Sequence, residues 1–194
     1  MTNFTESLRG HAFRGVEDDE RGLHALGVVA FAVAAAFSAQ IAVPLPWTPV
    51  PVTLQPMIVI LAGAMLGPRL GAIAMMGYVT FGALGAPVFS NGGSGLGWLF
   101  GPTGGYLLAA PAAAFVVGVI AGRSEQALRL LVGLVGGVGT MYIGGVLQLM
   151  AFMGQDVGAT VAAGVLPFVI GDVTKIGFAF FAVFAIRKTP RRRA

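Results

Sequence analysis

Six long apolar stretches, at about 23–43, 52–67, 69–87, 104–122, 129–153 and 162–187, fill most of this 194-residue chain, and basic residues fall only at every second junction between them. Arg9, Arg14 and Arg21 precede the first stretch, and Arg69 sits between the second and third. Arg123 and Arg129 mark the junction of the fourth and fifth; Arg187, Lys188, Arg191, Arg192 and Arg193 follow the sixth. The remaining junctions, at 44–53, 86–105 and 154–160, contain no Lys or Arg. A bilayer core takes roughly 20 apolar residues per helix, and Lys and Arg near the ends of spans favour the cytoplasmic side. Six spans put every basic residue outside the spans on one side, whereas five or seven destroy that agreement. The expected fold is all-α: an integral membrane bundle of six transmembrane helices with both termini in the cytoplasm. Residues 1–22 and 188–194 are then cytoplasmic tails, the second one basic, flanking a membrane domain at 23–187. At "GPRLG" (67–71) Gly stops one helix and Pro starts the next.

Composition supports lipid as the solvent. The chain is 56% hydrophobic and 10% charged, against about 25% charged in a soluble domain. A net charge of +4 does not imply nucleic acid, because the bases flank apolar runs instead of clustering among aromatics on one face. The acids at Glu6, Glu17, Asp18, Asp19 and Glu20 are wrong for the short basic start of a signal peptide. Cysteine is absent and the only histidines are His11 and His24, so no thiolate, metal cluster or triad is expected. No G-x-x-x-x-G-K-[ST] occurs. Neither an enzyme nor a cofactor-binding protein is expected, and no repeated half suggests an inverted-repeat transporter.

Asp172 and Lys175 interrupt the sixth stretch. A charge at mid-bilayer costs roughly 2.5–3.5 kcal/mol on insertion scales, and residues three apart share one helix face. That face must point into the bundle. Two readings stand: a structural ion pair, or a site for a polar or anionic small molecule. Pro167 and Gly171 can loosen the outer end of this helix and free backbone groups toward a cavity. The segment 87–106, "PVFSNGGSGLGWLFGPTGGY", carries Ser90, Asn91, Ser94, Trp98 and Tyr106 among its glycines. Asn91 suits a turn as well as a binding site. Trp98 and Trp47 suit an interfacial anchor as well as a stacking surface. Small residues four apart recur at Ala32/Ala36, Ala35/Ala39, Gly63/Gly67, Gly118/Gly122 and Gly133/Gly137, a spacing that lets helices pack closely.

Four segments, "AQIAVPLPWTPVPVTLQ" (39–55), "LAGAMLGPRLGA" (61–72), "GAPVFSNGGSGLGWLFGPTGGYL" (85–107) and "LPFVIGDVTK" (166–175), resemble the biotin-specific S-component family, BioY, of energy-coupling factor (ECF) transporters. The resemblance runs from about 38 to 175. It implies six membrane helices, a biotin pocket near the outer face of a prokaryotic cell membrane, and partners that supply energy: a transmembrane coupling subunit and a pair of cytosolic ATPases. It places the family's last-helix acid and base on Asp172 and Lys175 and its loop asparagine on Asn91, with Trp98 and Tyr106 as further substrate-binding candidates. Its docking motif on the first helix falls on Ala32 and Ala36. Family members often carry Pro before the Gly-Asp pair, where this chain has Ile170. Lys175 is then a partner for the biotin carboxylate, and Asp172 either holds Lys175 or accepts an N–H; which end of the ligand meets them stays open. The competing functions are a binder of another small vitamin and a membrane scaffold whose charge pair is structural.

Overall fold

A computed structural model describes residues 2–122, 124 and 126–188, of which 2–19 are described as backbone only. The basic tail expected at 188–194 lies, beyond Lys188, outside the described residues. The chain forms α1 (Thr2–Gln40), β1 (Ala42–Leu45), β2 (Thr48–Thr53), α2 (Gln55–Leu66), α3 (Pro68–Ala83), α4 (Leu96–Leu99), α5 (Gly104–Ala121), α6 (Ala127–Met153), α7 (Val157–Gly164) and α8 (Val169–Lys188).

Each expected stretch contains a helix, with three corrections. First, among the described residues only Glu20–Gln40, Gly104–Ala121, Ala127–Met153 and Val169–Lys188 are long and apolar enough to cross a membrane. α2 and α3 have 12 and 16 residues, about 18 and 24 Å at 1.5 Å per residue. The break between them is the one the sequence marks: Gly67 has φ 83° and Pro68 opens α3. Second, the chain is not purely helical. Residues 42–53 form an antiparallel hairpin with an irregularity between Val43 and Leu45. Thr48 and Val50 are buried while Pro49 between them is exposed, the two-residue period of a strand. Prolines are tolerated because a two-stranded ribbon is all edge. Third, the sixth stretch is two helices. α7 is capped at its start by Asp156, whose side chain accepts from the Ala159 N–H at 3.0 Å, and ends at Gly164. Turns at 165–168 around Pro167 precede α8. α1, for its part, runs unbroken through the boundary placed at 22/23.

α5 is the packing centre, against α2, α3 and α6. A Cβ on Gly63 would run into the Ala114 carbonyl, one on Gly118 into Pro68, and one on Gly137 into Val117. Gly133 likewise faces the Ala121 backbone. These are internal contacts, as the four-residue spacing suggests. Their partners Gly67 and Gly122 do another job: both have positive φ and end helices.

Arg187 marks the end of the bundle where the junctions carrying Arg69 and Arg129 lie. The Arg187 guanidinium donates to the carbonyls of Ser124 at 2.6 Å, Gly122 at 2.8 Å and Ala64 at 2.9 Å. It thereby ties α8 to the ends of α2 and α5, beside the turn that carries Arg69. The hairpin, α4 and α7 lie at the opposite end. Around the bundle large apolar side chains face outward, among them Val33, Phe37, Phe81, Phe115, Ile143 and Phe178. Such a surface suits lipid contact.

Candidate functional site

The end of the bundle opposite Arg187 forms an open pocket. Its apolar walls come from Val50 of β2, Leu107 of α5, Val138 and Met141 of α6, and Phe168 from the turn before α8. Val50, Phe168 and Leu149 also form a small apolar cluster, which seats the hairpin against α6 and the α7–α8 elbow.

Asp172 and Lys175 line this pocket at 4% and 7% exposure. The broken helix explains their position. α8 begins at Val169, so Asp172 falls in its first turn, where free N–H groups and the helix dipole favour a negative charge. Lys175, three residues on, donates from Nζ to Asp172 Oδ1 at 2.7 Å. The second carboxylate oxygen takes a hydrogen bond from the Tyr142 hydroxyl of α6 at 2.6 Å. The group is thus a triad of cation, anion and phenol. Asp172 keeps lone pairs on both oxygens, and Lys175 makes no other hydrogen bond among the described residues, leaving two N–H donors.

The other sequence candidates divide. Tyr106 lines the pocket with its ring, which lies against Gly145. Its hydroxyl is engaged, donating to the Gly164 carbonyl at 2.6 Å and bracing the elbow between α7 and α8. Trp98 of α4 also lines the pocket, with its indole flat against Gly93. Its Nε1 is buried and has no partner among the described residues. Trp47, exposed at the hairpin tip, is outside the pocket. Asn91 is also outside the lining. It is exposed, with φ 55° and ψ 32° in a short turn at Ser90–Gly92, the left-handed conformation that asparagine tolerates best after glycine. Its neighbour Ser90 faces the pocket instead.

Two glutamines fix the loop that carries these residues. Gln40, at the end of α1, donates to the Phe89 carbonyl at 3.0 Å and accepts from the Gly92 N–H at 3.1 Å. Gln148 of α6 donates to the Leu99 carbonyl at 2.6 Å and the Gly101 carbonyl at 2.8 Å. Neither residue was singled out by sequence, nor were Tyr142, Gln55 and Phe168, all of which line the pocket. Of these, Gln40 and Gln55 lay inside the quoted segment 39–55 and Phe168 inside 166–175, whereas Tyr142 and Gln148 lay in no segment that carried a signal.

Ala32 and Ala36 lie away from the pocket. They are half-buried in an apolar groove between α1 and α3, beside exposed Val33, Phe37 and Phe81. The overlapping pair Ala35 and Ala39 is fully buried and packs inward.

The sequence model of the BioY family matches residues 18–192. A probable biotin transporter BioY of Pyrococcus horikoshii is 40% identical over 148 residues, covering 76% of this chain and 86% of that protein. The biotin transporter BioY of Thermotoga maritima is 38% identical over 144 residues, covering 74% and 85%. In fold, the chain resembles the crystal structure of the S-component for biotin from an ECF-type ABC transporter. The TM-score is 0.82 at 23% identity, over 89% of this chain and 94% of the other.

Proposed function

The chain belongs to the BioY family, a family of transporter components and not of enzymes, and on that premise we propose that it is the biotin-binding membrane subunit of a biotin uptake system. The observation that carries this reading is the buried Asp172–Lys175 pair facing an otherwise apolar pocket. Biotin is a largely apolar body with two polar ends, a neutral ureido ring and a carboxylate. A pocket with apolar walls and few polar anchors fits such a ligand.

The charges favour one orientation. Asp172 neutralises Lys175 at 2.7 Å, so this end of the pocket carries no net charge. Burying the ligand's carboxylate there would add an uncompensated charge. The ureido ring brings none. Its carbonyl can accept from a spare Lys175 N–H, and one of its N–H groups can donate to a free lone pair of Asp172. The carboxylate then points to the mouth, where water reaches it. Trp98, Tyr106 and Phe168 contribute flat apolar surface to the rings and the aliphatic tail.

In the same reading the six helices α1, α2, α3, α5, α6 and α8 form the membrane unit of a prokaryotic cell membrane, with both termini cytoplasmic. The placement of Arg69, Arg129, Arg187 and Lys188 at one end supports this. The pocket then opens outward. Energy comes from a transmembrane coupling subunit and a pair of cytosolic ATPases, in keeping with the absence of a phosphate-binding loop from the sequence. The coupling subunit docks along α1 at Ala32 and Ala36, where small side chains permit close approach.

Equilibrium binding of labelled biotin to the purified chain tests the reading. Saturable one-to-one binding, competed by unlabelled biotin and not by other vitamins, is expected. Binding of another vitamin in its place assigns a different substrate, and binding of neither leaves the ion pair a structural role only.

A further inference from the structure

Gln55 is the first residue of α2 and is 6% exposed, with its side chain against the pocket. Its backbone N–H is satisfied by Thr53 Oγ1 at 3.3 Å. Its side-chain amide makes no hydrogen bond among the described residues. The glutamines at 40 and 148 show what this end of the fold otherwise does with an amide: each makes two bonds to loop backbone. An amide that lines a pocket without a protein partner keeps its donor and its acceptor available to a ligand. α2 itself is held in place by Val59 and Ile60, both fully buried, and by the close contact at Gly63.

We propose that Gln55 is a specificity-determining residue that reads the ureido ring of the ligand. This rests on the biotin reading above and extends it. A ureido group has two carbonyl lone pairs and two N–H donors. Lys175 can serve one lone pair and Asp172 one N–H. One lone pair and one N–H remain, side by side on the same edge of the ring. A primary amide presents a donor and an acceptor side by side, so Gln55 can satisfy both together. A carboxylate in that place would use only the amide N–H groups and would face the amide oxygen with a negative charge. The resemblance assigns an amide role to Asn91, but that residue turns the loop outside the pocket wall, and Gln55 occupies the wall itself.

The test compares three ligands on the purified full-length protein at neutral pH: biotin, 2-iminobiotin and biotin methyl ester. 2-Iminobiotin replaces the ureido carbonyl by a cationic guanidinium; the ester changes only the tail. Gln55→Leu is expected to weaken biotin binding by about tenfold or more. It should also narrow the preference for biotin over 2-iminobiotin while keeping the ratio of biotin to its ester. Gln55→Glu should weaken biotin and raise the relative affinity for cationic 2-iminobiotin, a reversal that a purely structural role would not produce. If Gln55→Leu fails to fold, the ligand ratio of Gln55→Glu decides alone. Folded variants with the parent's biotin to 2-iminobiotin ratio would overturn the proposal, as would a change confined to the ester ratio. Absence of biotin binding in the parent would instead defeat the functional reading on which the proposal rests.

Discussion

Replacing Lys175 by Met keeps most of the side-chain volume and deletes the ammonium. What remains is a carboxylate at 4% exposure whose Oδ1 has lost its 2.7 Å donor. Breaking a buried pair by removing one partner costs roughly 3–5 kcal/mol. Two features place this case at the lower end. Tyr142 still donates to Oδ2, and the first turn of α8 still favours the charge by roughly 0.3–1 kcal/mol. A loss of about 3 kcal/mol is expected for Lys175→Met, and a similar loss for Asp172→Asn, which strands the lysine. The double variant removes both charges, and Tyr142 can still donate to the asparagine oxygen. Its stability should return to within about 1 kcal/mol of the parent, since uncharged replacements of a buried pair are often neutral or better. The cycle then gives a coupling energy of about 5–6 kcal/mol, above the roughly 0.5–3 kcal/mol usual for contacting residues.

Stability alone does not separate a structural pair from a binding site; ligand affinity on the same four proteins does. The double variant should fold and yet bind biotin about a hundredfold or more weakly, having lost two charge-assisted hydrogen bonds to the ring. Unfolding in detergent and titration with biotin supply the two readouts. A well-folded double variant with the parent's affinity would reject the site. A coupling energy near zero would reject the energetic argument for the pair.

Arg187→Ala removes three good hydrogen bonds to backbone carbonyls and should lower stability by about 2–4 kcal/mol, with biotin affinity unchanged; Arg187→Lys should recover only part, since an ammonium lacks the guanidinium fork. A thermal shift in the apo protein reads this, and a shift below the measurement error would contradict the clamp. For topology, single cysteines at exposed Ser94 and Gln155 should react with an impermeant thiol reagent added to intact cells, while cysteines at exposed Arg69 and Gln126 should not; the inverse pattern would reverse the orientation. Bulky replacements in the α1 groove, Ala32→Trp or Ala36→Trp, should abolish uptake while keeping biotin affinity, because close helix approach is lost there. Unchanged uptake and unchanged co-purification with a coupling subunit would move the docking surface elsewhere.

Helix positions were legible because a bilayer-length apolar run has few other uses, and Gly67–Pro68 marks its break with local chemistry that tertiary contacts do not override. The hairpin was not read, although Thr48, Val50 and Val52 alternate. Four prolines between 44 and 51 argue against a strand until it is known to be a lone ribbon, where missing N–H donors face away from any third strand. The α7–α8 break was half legible: Pro167 gave the place, but residues 157–188 remain apolar on both sides, so hydropathy alone joins them. That break changes the site, because it puts Asp172 at a helix start instead of well inside a span.

The candidate site shows the same division between local and long-range signals. Asp172 and Lys175 stand out because charge in an apolar run demands a reason, and their spacing alone puts them on one face. Tyr142 gives no such sign. A tyrosine in an apolar helix is ordinary, and its carboxylate partner is 30 residues away. Asn91 was open to two readings because its residue type serves both; its left-handed φ of 55° shows that the turn uses it, and the loop then presents Ser90 and Trp98 inward. Gln55 lay inside the quoted segment 39–55 but was not singled out. At the start of a helix, glutamine needs no explanation from local sequence. Only the folded protein shows that Gln55 lines one pocket with Asp172 and Lys175 and that its amide makes no hydrogen bond among the described residues.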